Sequence, residues 1–227
     1  TQGVSSAASD VYKRQNDIPF IRKIARTKKP VIMSTGIARL EDIDLAVRAC
    51  REEGNDKVIL LKCISSYPAP YENMNLRVIP NMEQTFDCIC GLSDHSMGTE
   101  IAVAAVSLGA KVIEKHFTLN RADGGEDSQF SMEPQEFAEM VREVRNVEKA
   151  LGRVTYDLNA EQLESRIYSR SLFVVNDVKK GETFTEDNVR SIRPGIGMHT
   201  KHWEEILGKT ARCDVKKGTP MDWKYVE

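Results

Sequence analysis

Two of the four histidines stand at the ends of consecutive apolar runs, His95 in Gly91-Leu92-Ser93-Asp94-His95-Ser96 and His116 in Glu114-Lys115-His116-Phe117-Thr118. Side chains alternate along a strand, so Ser93 shares a face with His95 and Glu114 with His116. Two imidazoles on neighbouring strands, completed by water and substrate oxygens, make an open divalent-metal site; the alternative is two buried histidines, each satisfied by a backbone carbonyl. Glu114 beside them is either a carboxylate neutralised by the metal or a general acid/base. Asp127 sits in Gly124-Gly125-Glu126-Asp127, a glycine-rich stretch able to bring an acid over the site or to stand as a solvated acidic turn. Lys62 ends an apolar run; imine chemistry needs a lysine in such a place, but no second feature supports it, and a capping role is the better reading. Ser65-Ser66-Tyr67-Pro68 forms a polar, restricted loop suited to hydrogen-bonding a sugar or carboxylate, or to turning the chain. Ile192-Arg193-Pro194-Gly195 is a rigid turn that holds an arginine forward, a group able to clamp a carboxylate or amide oxygen.

These residues need strands to carry them. Apolar runs begin near residues 31, 58, 89 and 111, each followed by a helical period: Leu40 to Cys50, about Asn75 to Phe86, Ile101 to Leu108, and Pro134 to Leu151. An earlier helix covers Ile18 to Ile24. Repeated βα units of roughly 30 residues imply a parallel sheet, and active groups at its carboxyl edge. No glycine-rich phosphate loop follows a strand, which disfavours an open doubly wound sheet. Four such units amount to half of a (β/α)8 barrel. From about residue 153 to 167 the chain is polar, with one short helix from Ala160 to Ile167. Beyond it, Asp177-Val178-Lys179-Lys180-Gly181 recurs as Asp214-Val215-Lys216-Lys217-Gly218, so residues 168–227 read as a small, mostly β module with pseudo-twofold structure.

The runs KPVIMSTG, KCISSYPAPYENMNL, GLSDHS, EKHFTL and GGEDSQFSMEP resemble, in order, the sialic acid synthase family of phosphoenolpyruvate-dependent nonulosonate synthases. SRSLFVV, DVKKGETFTEDNVRSIRPGIG and ILGKTARCDVKKGTP resemble the antifreeze-like SAF (β-clip) domain that ends those enzymes. SSYPAP, GGEDSQFSMEP and SIRPGIGMH look closer to the pseudaminic acid synthase branch than to N-acetylneuraminate synthase. The resemblance implies a Mn²⁺ or Mg²⁺ ion on His95 and His116, and Glu114, His116 and Asp127 as the catalytic groups, with Asp127 near bound sugar. It implies phosphoenolpyruvate or sugar contacts for Ser34, Ser65, Tyr67 and Ser93; Ser65 replaces the asparagine of sialic acid synthases. It places Arg193 in the partner's active site of a domain-swapped homodimer. The implied reaction condenses phosphoenolpyruvate with 2,4-diacetamido-2,4,6-trideoxy-L-altrose and releases phosphate. N-acetylneuraminate or legionaminate synthesis is the alternative within the class; a non-catalytic carbohydrate-binding relic, or a metal-dependent aldolase or hydrolase, lies outside it.

Lys and Arg total 32 against 34 Asp and Glu, a net charge of −2, which gives no ground for a nucleic-acid partner. No apolar run reaches the ~20 residues of a membrane span, and five cysteines set mostly in apolar runs fit a reducing, cytoplasmic setting. Residues 1–15, TQGVSSAASDVYKRQ, carry no structural period and resemble nothing in the family; they read as a non-native tail. The family's first four strands then belong before Asn16, so residues 16–152 are expected to be the C-terminal half of the barrel. Such a half-barrel leaves edges unpaired, and the expectation is poor solubility or association, with little synthase activity on its own.

Overall fold

The structure, a computed structural model, describes residues 9–10, 16–125 and 127–227. Of the segment read as a tail, all but Ser9–Asp10 lies outside the described residues, as does Glu126. The chain divides into two compact units, Thr1–Arg153 and Val154–Glu227.

The first unit is a curled parallel sheet with helices on its outer side, half of a (β/α)8 barrel. Its strands are β1 (Ser9–Asp10), β2 (Val31–Ser34), β3 (Val58–Cys63), β4 (Ile89–Asp94) and β5 (Ile113–Lys115), hydrogen-bonded in sequence order. Four are the expected strands; the two-residue β1 is an addition, paired in parallel with Val31–Ile32. Among the described residues the sheet does not close, and β1 and β5 form its edges. The register sets Met33 beside Leu60, Cys63 beside Ser93 and Ser93 beside Glu114, so the carboxyl ends of β3, β4 and β5 line up.

Helices α1 (Ile18–Ala25), α2 (Leu40–Glu52), α3 (Val78–Phe86), α4 (Glu100–Ser107) and α5 (Pro134–Leu151) complete the unit. Asp17 caps α1 by accepting from the Phe20 N–H at 3.2 Å. Glu133 and Glu136 form a reciprocal capping box on α5, and Pro134 fills its first turn, where no backbone donor is needed. The apolar stripes of α1, α2 and α3 bury Ile21, Val47, Cys50, Ile79 and Met82 against Val31, Met33, Leu60 and Leu92 of the sheet. Each fully buried aliphatic of this size contributes roughly 1.5–3 kcal/mol, so the wall that carries the strand ends is held by the sheet's outer face.

The second unit contains α6 (Ala160–Ser165), the antiparallel pair β6 (Ser171–Val174) and β7 (Val189–Ile192), and a short α7 (Trp203–Ile206). Its remaining β structure is isolated bridges, among them Val178 with Val215, which join the two DVKKG copies at their valines. Around that bridge the repeats clasp one another. Asp177 accepts from the Lys216 ammonium at 2.7 Å and the Lys217 N–H at 2.8 Å; Asp214 accepts from Lys179 at 3.0 Å and the Lys180 N–H at 2.9 Å. Both carboxyls are held below the usual aspartate range, Asp177 mainly by the Lys216 ammonium and Asp214 mainly by the Lys180 N–H. Phe184, Leu172, Ile206 and Met221 fill the core beneath. No helix among the described residues is long and apolar enough to cross a membrane.

Candidate active site

The carboxyl ends of β3, β4 and β5 bring most of the singled-out side chains together. Ser93, on β4, is followed by His95 just past the strand end; Glu114, on β5, is followed by His116 in the same way. The two imidazoles meet edge to face with ring centroids 5.1 Å apart. His95 is buried, and its Nδ1 lies 2.8 Å from the Ile64 carbonyl. His116 turns its Nδ1 toward Asp127 Oδ2 at 3.5 Å, which brings the glycine-rich loop's acid to the strand end. Burial lowers the His95 pKa, and the neighbouring His116 adds to that effect against the Ile64 hydrogen bond.

Each Nδ1 therefore faces an oxygen, and among the described residues neither Nε2 takes a hydrogen bond, which leaves it for another partner. That is the arrangement that orients metal-binding imidazoles through their far nitrogen. Among the described residues no three His, Cys, Asp or Glu side chains converge on one point. The donor set is thus an imidazole pair that suits an ion taking its other ligands from water or substrate. The residues fit a divalent metal of that kind.

Ser93 donates its hydroxyl proton to Glu114 Oε1 at 2.6 Å, which fixes the carboxylate beside the imidazoles. Tyr67, from the loop after β3, packs its ring 4.3 Å from His95, 5.9 Å from His116 and 5.5 Å from Phe130 (centroid distances). Ser34, at the end of β2, is buried. Ser65 stands over Gly36: a β-carbon there would come within 2.5 Å of the Ser65 hydroxyl and 2.9 Å of the Cys63 sulfur, so a larger residue would push those side chains aside. Lys62 is half-buried and donates to the Cys63 carbonyl at 3.0 Å, and burial lowers its pKa. Arg193 belongs to the second unit, where it is exposed on the turn after β7. That turn is anchored at both sides by Ser171, which donates to the Pro194 carbonyl at 2.6 Å and accepts from the Gly197 N–H at 2.9 Å.

Sequence reasoning overlooked two members of this cluster. The Cys63 sulfur lies 3.9 Å from His95 Nδ1, and burial pushes its thiol pKa up. Phe130 stacks edge-on to His116 at 5.1 Å and shares Tyr67 with it. For Cys63 the alternation with Leu61 on β3 is a usable signal, whereas Phe130 ends a single 3-10 turn, Ser128–Phe130, too short to show a period.

Comparison with known proteins agrees with this geometry. Residues 11–156 match the NeuB family and residues 169–227 match the SAF domain. A pseudaminic acid synthase from Campylobacter jejuni is 47% identical over 91% of this chain, and an N,N'-diacetyllegionaminic acid synthase from the same species is 38% identical over 88%. These alignments take in 60% and 61% of the two relatives, so the chain spans about three-fifths of their length. The crystal structure of the spore coat polysaccharide biosynthesis protein spsE from Bacillus subtilis superposes with a TM-score of 0.62 at 34% identity, covering 97% of this chain and 67% of that one. The chain belongs to the NeuB family.

Proposed function

We propose that the protein is a cytoplasmic nonulosonate synthase of the pseudaminic acid type, a C–C bond-forming transferase. It condenses phosphoenolpyruvate with 2,4-diacetamido-2,4,6-trideoxy-L-altrose and releases phosphate. The observation that carries the reading is the imidazole pair at the ends of β4 and β5, set beside a Ser93-bound Glu114. The choice of sugar is supported by 47% identity to a protein named pseudaminic acid synthase, against 38% to one named for legionaminic acid.

In this reading His95 and His116 hold a divalent ion, Mn²⁺ or Mg²⁺, through Nε2. When bound, such an ion supplies Lewis-acid polarisation of the sugar aldehyde. The protein's own groups do the rest. The Ile64 carbonyl and Asp127 fix the two rings in place. Glu114 takes up or returns a proton at Oε1, where Ser93 now donates, and Ser93 can turn that donor to a phosphoenolpyruvate oxygen. Ser34 and Ser65 offer further hydroxyls at the ends of β2 and β3, and Tyr67 walls the histidines from water on one side. Arg193 orients an N-acetyl group from the partner subunit of a domain-swapped homodimer.

Phosphate release tests the proposal. The whole protein with phosphoenolpyruvate and Mn²⁺ is expected to liberate phosphate faster with the diacetamido-altrose than with the legionaminate precursor or N-acetylmannosamine. Equal turnover of N-acetylmannosamine would refute the pseudaminate assignment. Turnover that survives His95→Ala would refute the site.

A further inference from the structure

The side chains between the site residues point the other way, and they form a second, closed network. Asp94 lies between Ser93 and His95, and Lys115 between Glu114 and His116. Register pairs Ser93 with Glu114 and Asp94 with Lys115. Alternation therefore sends the first pair to the site and the second to the opposite face. There the Lys115 ammonium donates to Asp94 Oδ2 at 2.7 Å, to the Ser96 carbonyl at 2.8 Å and to the Gly98 carbonyl at 2.9 Å. Its three protons are all placed. The other carboxylate oxygen, Asp94 Oδ1, accepts from the Ser96 N–H at 2.8 Å and the Ser96 hydroxyl at 2.6 Å. The two charged side chains are 1% and 0% exposed.

We infer that Lys115 and Asp94 are positioning residues that set the spacing and register of His95 and His116; the inference rests on the proposal that these imidazoles hold a divalent ion. Three observations carry it. First, β5 is only three residues long and pairs with β4 over Leu92–Ile113, Ser93–Glu114 and Asp94–Lys115, so its backbone ladder specifies register weakly. A slip of one residue exchanges the faces: it would carry Lys115 into the site and bury Glu114 on the outer side without its partners. The ion pair makes that slip costly, because a buried charge stripped of its partner is strongly unfavourable. Second, the residues on both sides of His95 are tied to one atom, the Lys115 nitrogen: Asp94 through its carboxylate, Ser96 through its carbonyl. His95 is the middle residue of a loop pinned before and after. Third, the atom that pins it belongs to the residue directly preceding His116. A shift of either histidine's backbone must therefore move Lys115, and with it the other.

A buried ion pair does not by itself argue for stability, since well-packed apolar replacements are often as stable. That separates positioning from scaffolding. In the whole protein, Asp94→Leu combined with Lys115→Met removes both charges together. Mn²⁺ binding without substrates, followed by electron paramagnetic resonance, is expected to weaken about 10- to 100-fold, the usual loss when groups that orient metal ligands are removed. The urea unfolding midpoint is expected to stay near that of the parent. Ser96→Ala, a milder change that keeps the ion pair, is expected to weaken Mn²⁺ binding about threefold and guards against a double variant that does not fold. Parental Mn²⁺ affinity in the folded double variant, or in Ser96→Ala should the double variant not fold, overturns the inference and leaves the functional proposal intact. Mn²⁺ binding by the parent that is indifferent to His95→Ala and His116→Ala overturns the functional proposal, and the inference with it.

Discussion

Gly91 is a position where one added carbon should be felt in both packing and geometry. It lies in β4 two residues before Ser93, and its backbone is not in the left-handed region, so conformational strain plays no part in a change to alanine. Space does. A β-carbon there would sit 2.3 Å from the Val112 carbonyl oxygen, 2.8 Å from Leu61 Cδ2 and 2.9 Å from Val112 Cβ. The Leu61 methyl can rotate away, but the Val112 carbonyl accepts the Leu92 N–H at 2.9 Å and is part of the ladder. Relief therefore means moving β5 away from β4. Overpacking a well-filled core costs about 1–3 kcal/mol, and a backbone contact puts Gly91→Ala at the upper end. Alanine recovers about 0.5–1 kcal/mol because it loses less backbone freedom than glycine on folding. The net expectation is about 2 kcal/mol of destabilisation, or a urea midpoint lower by about 1 M at a slope of about 2 kcal/mol per M. Far-UV circular dichroism follows the first unit, which holds the long helices. Fluorescence of Trp203 and Trp223, the only tryptophans and both in the second unit, gives an internal control. An unchanged or higher dichroism midpoint would refute the steric argument and show that the β4–β5 contact yields easily.

The second unit and the cysteines give further tests. Ser171→Ala deletes two of the bonds that hold the Arg193 turn and leaves the Gly195 N–H on the Ile167 carbonyl, and should lower the stability read by tryptophan fluorescence by about 1–2 kcal/mol; no change would mean that the remaining contacts fix the turn. The carboxyls of Asp177 and Asp214 have folded pKa values below the ordinary aspartate value of about 3.9, so their contribution is complete above that pH and is lost as pH falls through the depressed folded values. The stability difference between the parent and Asp177→Asn/Asp214→Asn should be constant from about pH 5 to 8 and shrink below about pH 4; an undiminished gap at pH 3 would count against the clasp. Cys50 and Cys90 are buried with thiols pushed up to about 11 and about 12, burial also raises Cys63 and Cys88, and Cys213 is exposed. A thiol reagent at pH 8 should modify one cysteine in the native chain and all five in urea; rapid modification of a second would show that a buried strand end opens.

The long elements were legible because burial imposes a period. Ile43, Val47 and Cys50 mark the buried stripe of α2, and Pro134 with the Glu133–Glu136 box marks the start of α5. Errors lie where one backbone angle or one hydrogen bond decides. A helix starting at Asn75 is ruled out by its φ of +46°, so α3 begins at Val78. The apolar run Lys111 to Thr118 yields only Ile113–Lys115 as ladder, because Phe117 leaves to bridge Met132. Ser9–Asp10 pairs with Val31–Ile32, and a run of two residues is too short to show an alternating pattern in the sequence. Within the site, alternation on β4 and β5 pointed to Ser93, His95, Glu114 and His116 together, and the structure brings them together. The same alternation assigns Asp94 and Lys115 to the outer face, where charge ordinarily means solvent. Their burial depends on how the loop after His95 folds back, and two separated segments, residues 94–98 and Lys115, must be placed before that appears.

Alternation also explains why support and chemistry are interleaved here and cannot be exchanged piecemeal. In Ser93-Asp94-His95-Ser96 and in Glu114-Lys115-His116, the residues that face the site are separated by residues that hold the strands. A strand offers only two faces, so a group held rigidly at a strand end must take its anchor from the next residue along. Loops reach further but hold less tightly, and accordingly the two loop-borne members, Tyr67 and Asp127, meet the histidines through ring packing and a 3.5 Å approach. The two histidines, each one residue past a strand end, are backed by a buried ion pair.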